Sequence, residues 1–347
     1  MSGDFNASSD APAKPFEMIW PSRQAAPLLL ASPHSGRHYP APFLTQTVLD
    51  PAVLRQSEDC YVDLLIESGP RLGVPCLRAL FPRVYVDPNR DAAELDPNMF
   101  LEPLPSTAQI TSPRVMAGLG VVPRLAANER EIYARQLPYR EAEERLNRYY
   151  WPYHRALREA IRHIRTTFGH CLLLDCHSMP SGGAPLITAA SHSRYGASKP
   201  DSTGRLAVMK TGPRNAGTGA GAEPGTAHAV GNGRTLLEGM GGGEADFILG
   251  DCYGGACADG ITAAAEAFLI RAGARVRRNN PYSGGYVTQN YGRPAEGVHV
   301  LQLEINRRLY LDEASLAPTA GFAATQELLS GLIADLRDTA ADLMRRR

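Results

Sequence analysis

The first sustained apolar run, Pro27-Leu-Leu-Leu-Ala-Ser32, is short and continuous rather than alternating, as expected of a strand buried on both faces. Gly36 and Pro40 break it into a loop. Tyr61, Leu64, Leu65 and Ser68 recur at helical spacing, so a helix is expected there, ended by Gly69-Pro70. Val74 to Leu77 and Arg83 to Val86 read as further strands. The clearest helical signal lies between Glu129 and Thr167. There Leu146, Tyr149, Tyr150, Tyr153, Leu157, Ile161 and Ile164 repeat every three or four positions, with Arg and Glu between them. Pro152 lacks a backbone donor and should kink or divide that helix. Cys171-Leu-Leu-Leu-Asp175 follows as another buried strand. Phe247 to Gly250 reads as a strand, Ala258 to Ala272 as a helix, Val298 to Glu304 as a strand and Ser315 to Arg345 as a final helix.

Strands alternating with helices predict a three-layer α/β/α sandwich around a mostly parallel, mixed sheet. Residues 1–15 lack the apolar content to order themselves and read as a disordered tail. Residues 16–347 read as a single domain. Within it, glycine and alanine dominate from about 193 to 244 without a sustained apolar period, as in a flexible insertion or lid. Ligands of open α/β sheets sit beyond the carboxyl ends of strands. The residues to weigh are therefore the polar ones that follow each apolar run.

Composition narrows the partners. Hydrophobic residues make up 44% of the 347, and Lys plus Arg equal Asp plus Glu at 36 each, for a formal net charge of zero. Such a balance gives no general reason to expect nucleic acid or an anionic membrane. The polar start does not read as a secretory signal, and no run of about 18 apolar residues predicts a membrane span. Six scattered cysteines without a CxxC pair read as reduced thiols in a cytoplasmic protein. Oligomeric state is not legible.

Four strand ends carry unusual polar residues: Ser32-Pro-His34-Ser-Gly36, Arg83-Val-Tyr-Val-Asp87-Pro-Asn89-Arg90, Asp175-Cys-His177-Ser178 and Leu303-Glu304-Ile-Asn-Arg307. His34 and His177 each follow a buried strand and can meet at one sheet edge. Neutral imidazole is the commonest ligand for zinc, and a carboxylate usually completes three protein ligands. A histidine after a strand is more often structural. Glu304 is the sharper signal, because a lone carboxylate inside Val-Leu-Gln-Leu-Glu-Ile is costly to bury without a partner.

Taken in order, His34-Ser-Gly, Arg83 to Arg90, Asp175-Cys-His177-Ser-Met and Gln302-Leu-Glu304-Ile-Asn-Arg307 resemble the N-formylglutamate amidohydrolase family. Gly118-Leu-Gly-Val-Val-Pro, Tyr149-Tyr-Trp-Pro-Tyr-His154 and Asn280-Pro-Tyr-Ser-Gly-Gly-Tyr286 look like its connecting segments. The resemblance implies a phosphorylase/hydrolase-like, zinc carboxypeptidase-like fold related to the aspartoacylases. It also implies a single Zn2+ ion, another divalent transition metal being the alternative, and a small anionic N-acyl amino acid as substrate. The reaction implied is N-formyl-L-glutamate plus water to formate and L-glutamate, a step of histidine degradation.

Carried over by residue, the resemblance makes His34 and His177 metal ligands. Arg37 stands where the carboxypeptidase pattern has its ligating Glu. The third ligand is therefore expected from Glu58-Asp59, with Asp59 favoured; the alternative is that both carboxylates simply suit a helix N-terminus. Glu304 looks like the general base and Arg83 like the arginine that polarises the scissile carbonyl. Asn89 and Arg90 match the pair that binds a substrate carboxylate, and Asp87 and Asp175 are candidate partners of Arg and His. Tyr286 is a weaker candidate for lining the pocket. Arg307 is read either as a second cation for a dicarboxylic substrate or as a surface partner of Asp312 or Glu313. Two alternatives accompany this reading. One is a zinc peptidase or carboxypeptidase-like amidase on larger substrates. The other is a non-catalytic ligand-binding protein on the same scaffold, against which Glu304 argues because a binding module needs no base.

Overall fold

The computed structural model describes residues 14–182 and 244–345. The expected tail and glycine-rich insertion lie outside the described residues, apart from Lys14, Pro15 and Glu244. Seven strands form one mixed sheet: β1 (Phe16–Ile19), β2 (Leu28–Ser32), β3 (Cys76–Ala79), β4 (Cys171–Met179), β5 (Phe247–Gly250), β6 (Val276–Arg278) and β7 (Val298–Asn306). Their spatial order is β1-β3-β2-β4-β7-β5-β6. The central strands β3, β2, β4 and β7 run parallel, while β1 pairs antiparallel to β3 and β5 antiparallel to β7.

The continuous apolar runs explain the layers. In β2 and β4, alternate residues feed two separate cores. Leu29, Ala31 and Leu173 pack on one face with α1 (Ala41–Gln46), α2 (Pro51–Arg55), the long helix built from α5 (Tyr139–Arg145) and α6 (Trp151–Phe168), and the segment around Val121. Leu28, Leu30, Leu172 and Leu174 pack on the other face with α3 (Val62–Leu65), α7 (Asp259–Arg271) and α8 (Gly321–Arg345). Burying each of these leucines fully stabilises the fold by about 1.5–3 kcal/mol, so both faces must be covered. The expected three-layer α/β/α sandwich is what forms.

Four local expectations are corrected. Arg83 to Val86 is a turn, closed by Tyr85 N–H to Pro82 O at 3.0 Å; Val84 and Val86 are buried as in a strand but have no ladder partner. The helix expected around Tyr61 shrinks to the single turn of α3, because Tyr61 itself takes the left-handed conformation (φ 60°) just before it. The long helix begins only at α5 (Tyr139–Arg145), since Pro138 starts it and Glu129 sits at φ 57° in a separate turn. The final helix starts at Gly321 because residues 317–318 pair with 311–312 in a small hairpin.

Pro152 does not break the long helix. A π-helical turn at Leu146–Tyr150, with the Trp151 N–H on Leu146 O, re-routes the backbone bonds just ahead of the missing donor. The helix then continues as α6 (Trp151–Phe168). On α6, His154 is buried between the Tyr291 hydroxyl (Nδ1, 2.7 Å) and Pro88 O (Nε2, 2.9 Å). A neutral ring satisfies both, accepting at Nδ1 and donating from Nε2. Burial pushes its pKa down to about 3.

The unfolded chain takes up this proton below its ordinary value of 6.5, while the folded chain stays neutral. The stabilisation is thus complete above pH 6.5 and is lost as pH falls from there towards 3. Over that window, denaturant titrations of wild type should lose about 1.4 kcal/mol per pH unit more than those of His154→Gln. Parallel pH profiles for the two proteins would rule this out.

Candidate active site

The parallel register decides which side chains meet. Ala31 lies beside Asp175, and His177 lies beside Glu304, so the carboxyl ends of β2, β4 and β7 open onto one region. His34 follows β2 by two residues. The turn is possible because Gly36 packs directly on backbone, where a Cβ would sit 2.1 Å from Phe81 O. Asp59 reaches the same place because its N–H donates to His34 O at 3.1 Å.

Three atoms converge there. His177 Nδ1 lies 3.1 Å from His34 Nδ1 and 3.0 Å from Asp59 Oδ2, and His34 Nδ1 lies 3.2 Å from that oxygen. The far nitrogens are committed elsewhere. His34 Nε2 donates to Asp87 Oδ1 at 2.7 Å and His177 Nε2 to Asp175 Oδ2 at 3.0 Å. Those carboxylates hold the ring protons on Nε2 and leave both Nδ1 lone pairs facing Asp59. All five side chains are buried.

Three lone pairs directed at one another repel unless positive charge lies among them, so this donor set fits a cation. The electrostatics show the same demand for positive charge, which a proton on His177 also meets. Burial alone would raise the Asp59 pKa, yet the imidazoles of His177 and His34 and the Arg83 guanidinium hold it well below the usual carboxylate range. Burial works against charge on His177, but Asp175, Asp59 and Glu304 outweigh it and hold that pKa well above the ordinary value.

Glu58 points away from the cluster. It accepts from Tyr39 Oη at 2.6 Å and lies 3.4 Å from Arg55 Nε, and burial raises its pKa. Arg37 also stands apart, paired with both Asp63 oxygens at 3.2 and 3.3 Å.

Around the cluster lies a cavity of about 540 Å³, lined by His34, Asp59, Arg83, Asp87, Asn89, Arg90, His177 and Glu304 among others. That is room for a small ligand. Glu304 is buried, its Oε1 accepting from Gln302 Nε2 at 2.9 Å, while Gln302 Oε1 accepts from Gly285 N at 2.7 Å. Burial pushes the Glu304 pKa up to about 7, with His177 and Arg83 pulling the other way. Arg83 Nη2 donates to Asp87 Oδ2 at 2.8 Å, and its Nη1 lies 3.8 Å from Asp59 Oδ1.

Asn89 and Arg90 differ in what they leave available. The Asn89 amide is caught between Val287 N–H, received on Oδ1 at 2.8 Å, and His177 Nε2, 3.2 Å from Nδ2. Gly285 packs so close that a Cβ there would come within 2.3 Å of this amide. Arg90 donates from Nε to Leu119 O (3.1 Å) and from Nη1 to Asn89 O (2.9 Å), with Nη2 3.8 Å from Asp87 Oδ2.

The contacts of two weaker candidates decide between the alternatives left open for them. Tyr286 packs its ring on His154 and is not among the cavity-lining residues. Arg307 is no surface partner of Asp312 or Glu313. It is buried, bonding Ser178 Oγ, Gln56 O and Glu58 O, and lies 3.4 Å from Asp59 Oδ1, so it clamps the segment that carries Asp59. Gln302, Tyr282 and Arg114 also line the cavity, though the sequence pattern alone assigns them no role. Gln302 was findable two positions before Glu304 on the same strand face. Tyr282 and Arg114 lie in irregular segments with no periodicity to mark them.

No helix among the described residues is long and apolar enough to cross a membrane. The family model described as N-formylglutamate amidohydrolase matches residues 26–311. An N-formylglutamate deformylase of Pseudomonas aeruginosa is 28% identical, over 92% of this chain and 97% of its own. A protein of the same description from Pseudomonas putida is 24% identical, over 83% and 82% respectively. Among solved structures, the N-formylglutamate amidohydrolase of Ralstonia eutropha JMP134 superposes with a TM-score of 0.73 at 34% identity, covering 96% of this chain and 99% of that one. With a family model spanning most of the fold and relatives matched nearly end to end, the chain belongs to the N-formylglutamate amidohydrolase family.

Proposed function

We propose that the chain hydrolyses the amide bond of N-formyl-L-glutamate, giving formate and L-glutamate, with one zinc ion held by His34, Asp59 and His177. The observation that carries this reading is the convergence of the three donor atoms beside Glu304 and Arg83 in one small cavity. The descriptions of its relatives support the substrate. Zinc bound at such a set supplies Lewis acidity, which polarises a carbonyl and makes water a nucleophile near neutral pH.

The chain's own groups do the rest. Glu304 accepts the proton of the attacking water and returns it to the nitrogen as the C–N bond breaks, so a neutral amine and formic acid leave, the acid giving its proton to water to become formate. A carboxylate with a pKa of about 7 suits both halves of that transfer near neutral pH. Gln302 fixes the Glu304 carboxylate in place. Arg83 donates to the formyl oxygen as negative charge builds there, a contribution of about 3–4 kcal/mol for one well-placed donor. Arg90 pairs with a substrate carboxylate, for which its planar fork is suited. Asn89, whose amide already spans Val287 and His177, sets the wall of that subsite. The cysteines of this chain are all free thiols, which fits a reducing, cytoplasmic setting.

The test is formate release from N-formyl-L-glutamate by the purified, zinc-supplemented chain, compared with N-acetyl-L-glutamate and a blocked dipeptide. Preferred turnover of the formyl compound is the expected result. Turnover of the dipeptide alone would move the reading to a peptidase.

A further inference from the structure

We propose that Arg114 is the specificity residue for a second carboxylate, so that the cavity selects N-acyl derivatives of dicarboxylic amino acids over neutral ones. This rests on the reading given above and deepens it. Four arginines line the cavity, and three are engaged. Arg83 is bonded to Asp87, Arg307 to Ser178 and two backbone carbonyls, and Arg90 to two further carbonyls. Arg114, half-buried at the start of α4 (Pro113–Met116), has no side-chain hydrogen bond or ion pair with any described residue.

Its position is nonetheless built. Ser112 Oγ accepts from Val115 N at 3.2 Å and starts the turn, and Leu119 N–H donates to Arg114 O at 2.8 Å. The carbonyl of that same Leu119 receives Arg90 Nε. One short segment thus carries Arg114 and anchors Arg90, and both residues line one cavity. Burial, with smaller contributions from the Arg114 and Arg83 charges, lowers the Arg90 pKa to about 10 against the pull of Asp87. Two like charges on one wall, one without a counter-ion among the described residues, are a cost that an anion between them relieves. The carboxylate of Glu129, exposed on the rim, forms no ion pair with Arg114. A substrate with one carboxylate occupies Arg90 and leaves Arg114 unpaired. A dicarboxylic one meets both.

The experiment compares kcat/KM for N-formyl-L-glutamate and its neutral near-isostere N-formyl-L-glutamine, in wild type, Arg114→Gln and Arg114→Lys, with the thermal midpoint recorded for each. Wild type should prefer the glutamate compound by about 100-fold, the size of a charge-assisted pair. Arg114→Gln should reduce that preference to less than about tenfold, mainly through KM for the glutamate compound, and Arg114→Lys should restore part of it. An unchanged preference, or equal losses on both substrates, overturns the proposal, because a merely structural arginine would not distinguish them. Turnover of neither substrate by wild type overturns the underlying reading, and the proposal with it.

Discussion

Glu304→Gln should lower kcat for N-formyl-L-glutamate by about 10²–10⁴, the usual contribution of a positioned general base, with KM changed only a few-fold. The amide keeps the shape and the contact with Gln302 but cannot take a proton at neutral pH. Folding should not suffer. The substitution removes a buried carboxylate whose pKa burial pushes up to about 7, a sign that its charge is poorly solvated where it sits. The thermal midpoint is therefore expected to stay level or rise, the usual relation between a functional group and stability. Zinc content should also be unchanged, since Glu304 is not one of the three converging donors. A variant retaining more than a tenth of wild-type kcat would remove Glu304 from the role of base. One that loses zinc along with activity would make it a ligand instead.

The fold was legible where burial alone dictates structure. Leu28 to Ala31 and Cys171 to Leu174 are apolar on both faces because two helical layers press on them, and a continuous run records that directly. Arg83 to Val86 shows the limit. Its valines are spaced as in a strand, but they point into the core under α1 and α6 from a turn, and spacing cannot tell a ladder from a packed loop. Tyr61 likewise carries a helical pattern while its own backbone, at φ 60°, interrupts the helix.

The candidate site was legible through topology, because polar residues that follow adjacent parallel strands must share an edge. What it left open was decided by long-range contacts. Glu58 and Asp59 are neighbours in sequence, and only Tyr39 on one side and the His34 carbonyl on the other send them in opposite directions. Arg307 could be read either as a second cation for the substrate or as a surface partner of Asp312 or Glu313, which follow it. Its real partners, at 56, 58 and 178, are far away in sequence. Asn89 carried the pattern of a substrate-binding residue, and nothing local reveals that Val287 N–H already occupies its amide oxygen.

Removing one converging donor should have the other large effect. Wild type is expected to hold one zinc per chain after dialysis, and zinc should raise its thermal midpoint, by about 2.7 kcal/mol of stabilisation once free zinc reaches a hundred times Kd. The increment has a physical source, since a cation bound there would meet three donor atoms that converge on one point. His177→Ala deletes a donor outright and should lose zinc on dialysis, with activity falling to background. Asp175→Asn keeps the ring but weakens the acceptor that holds its proton on Nε2. It should weaken zinc binding by about 10–100-fold, and Asp87→Asn, acting on His34, by a similar amount. That ranking separates a metal centre from a hydrogen-bonded His–Asp network. In such a network, zinc would leave the midpoint of wild type and of all three variants unmoved. A His177→Ala chain that keeps one tightly held zinc would place the ion somewhere other than beside His34 and Asp59.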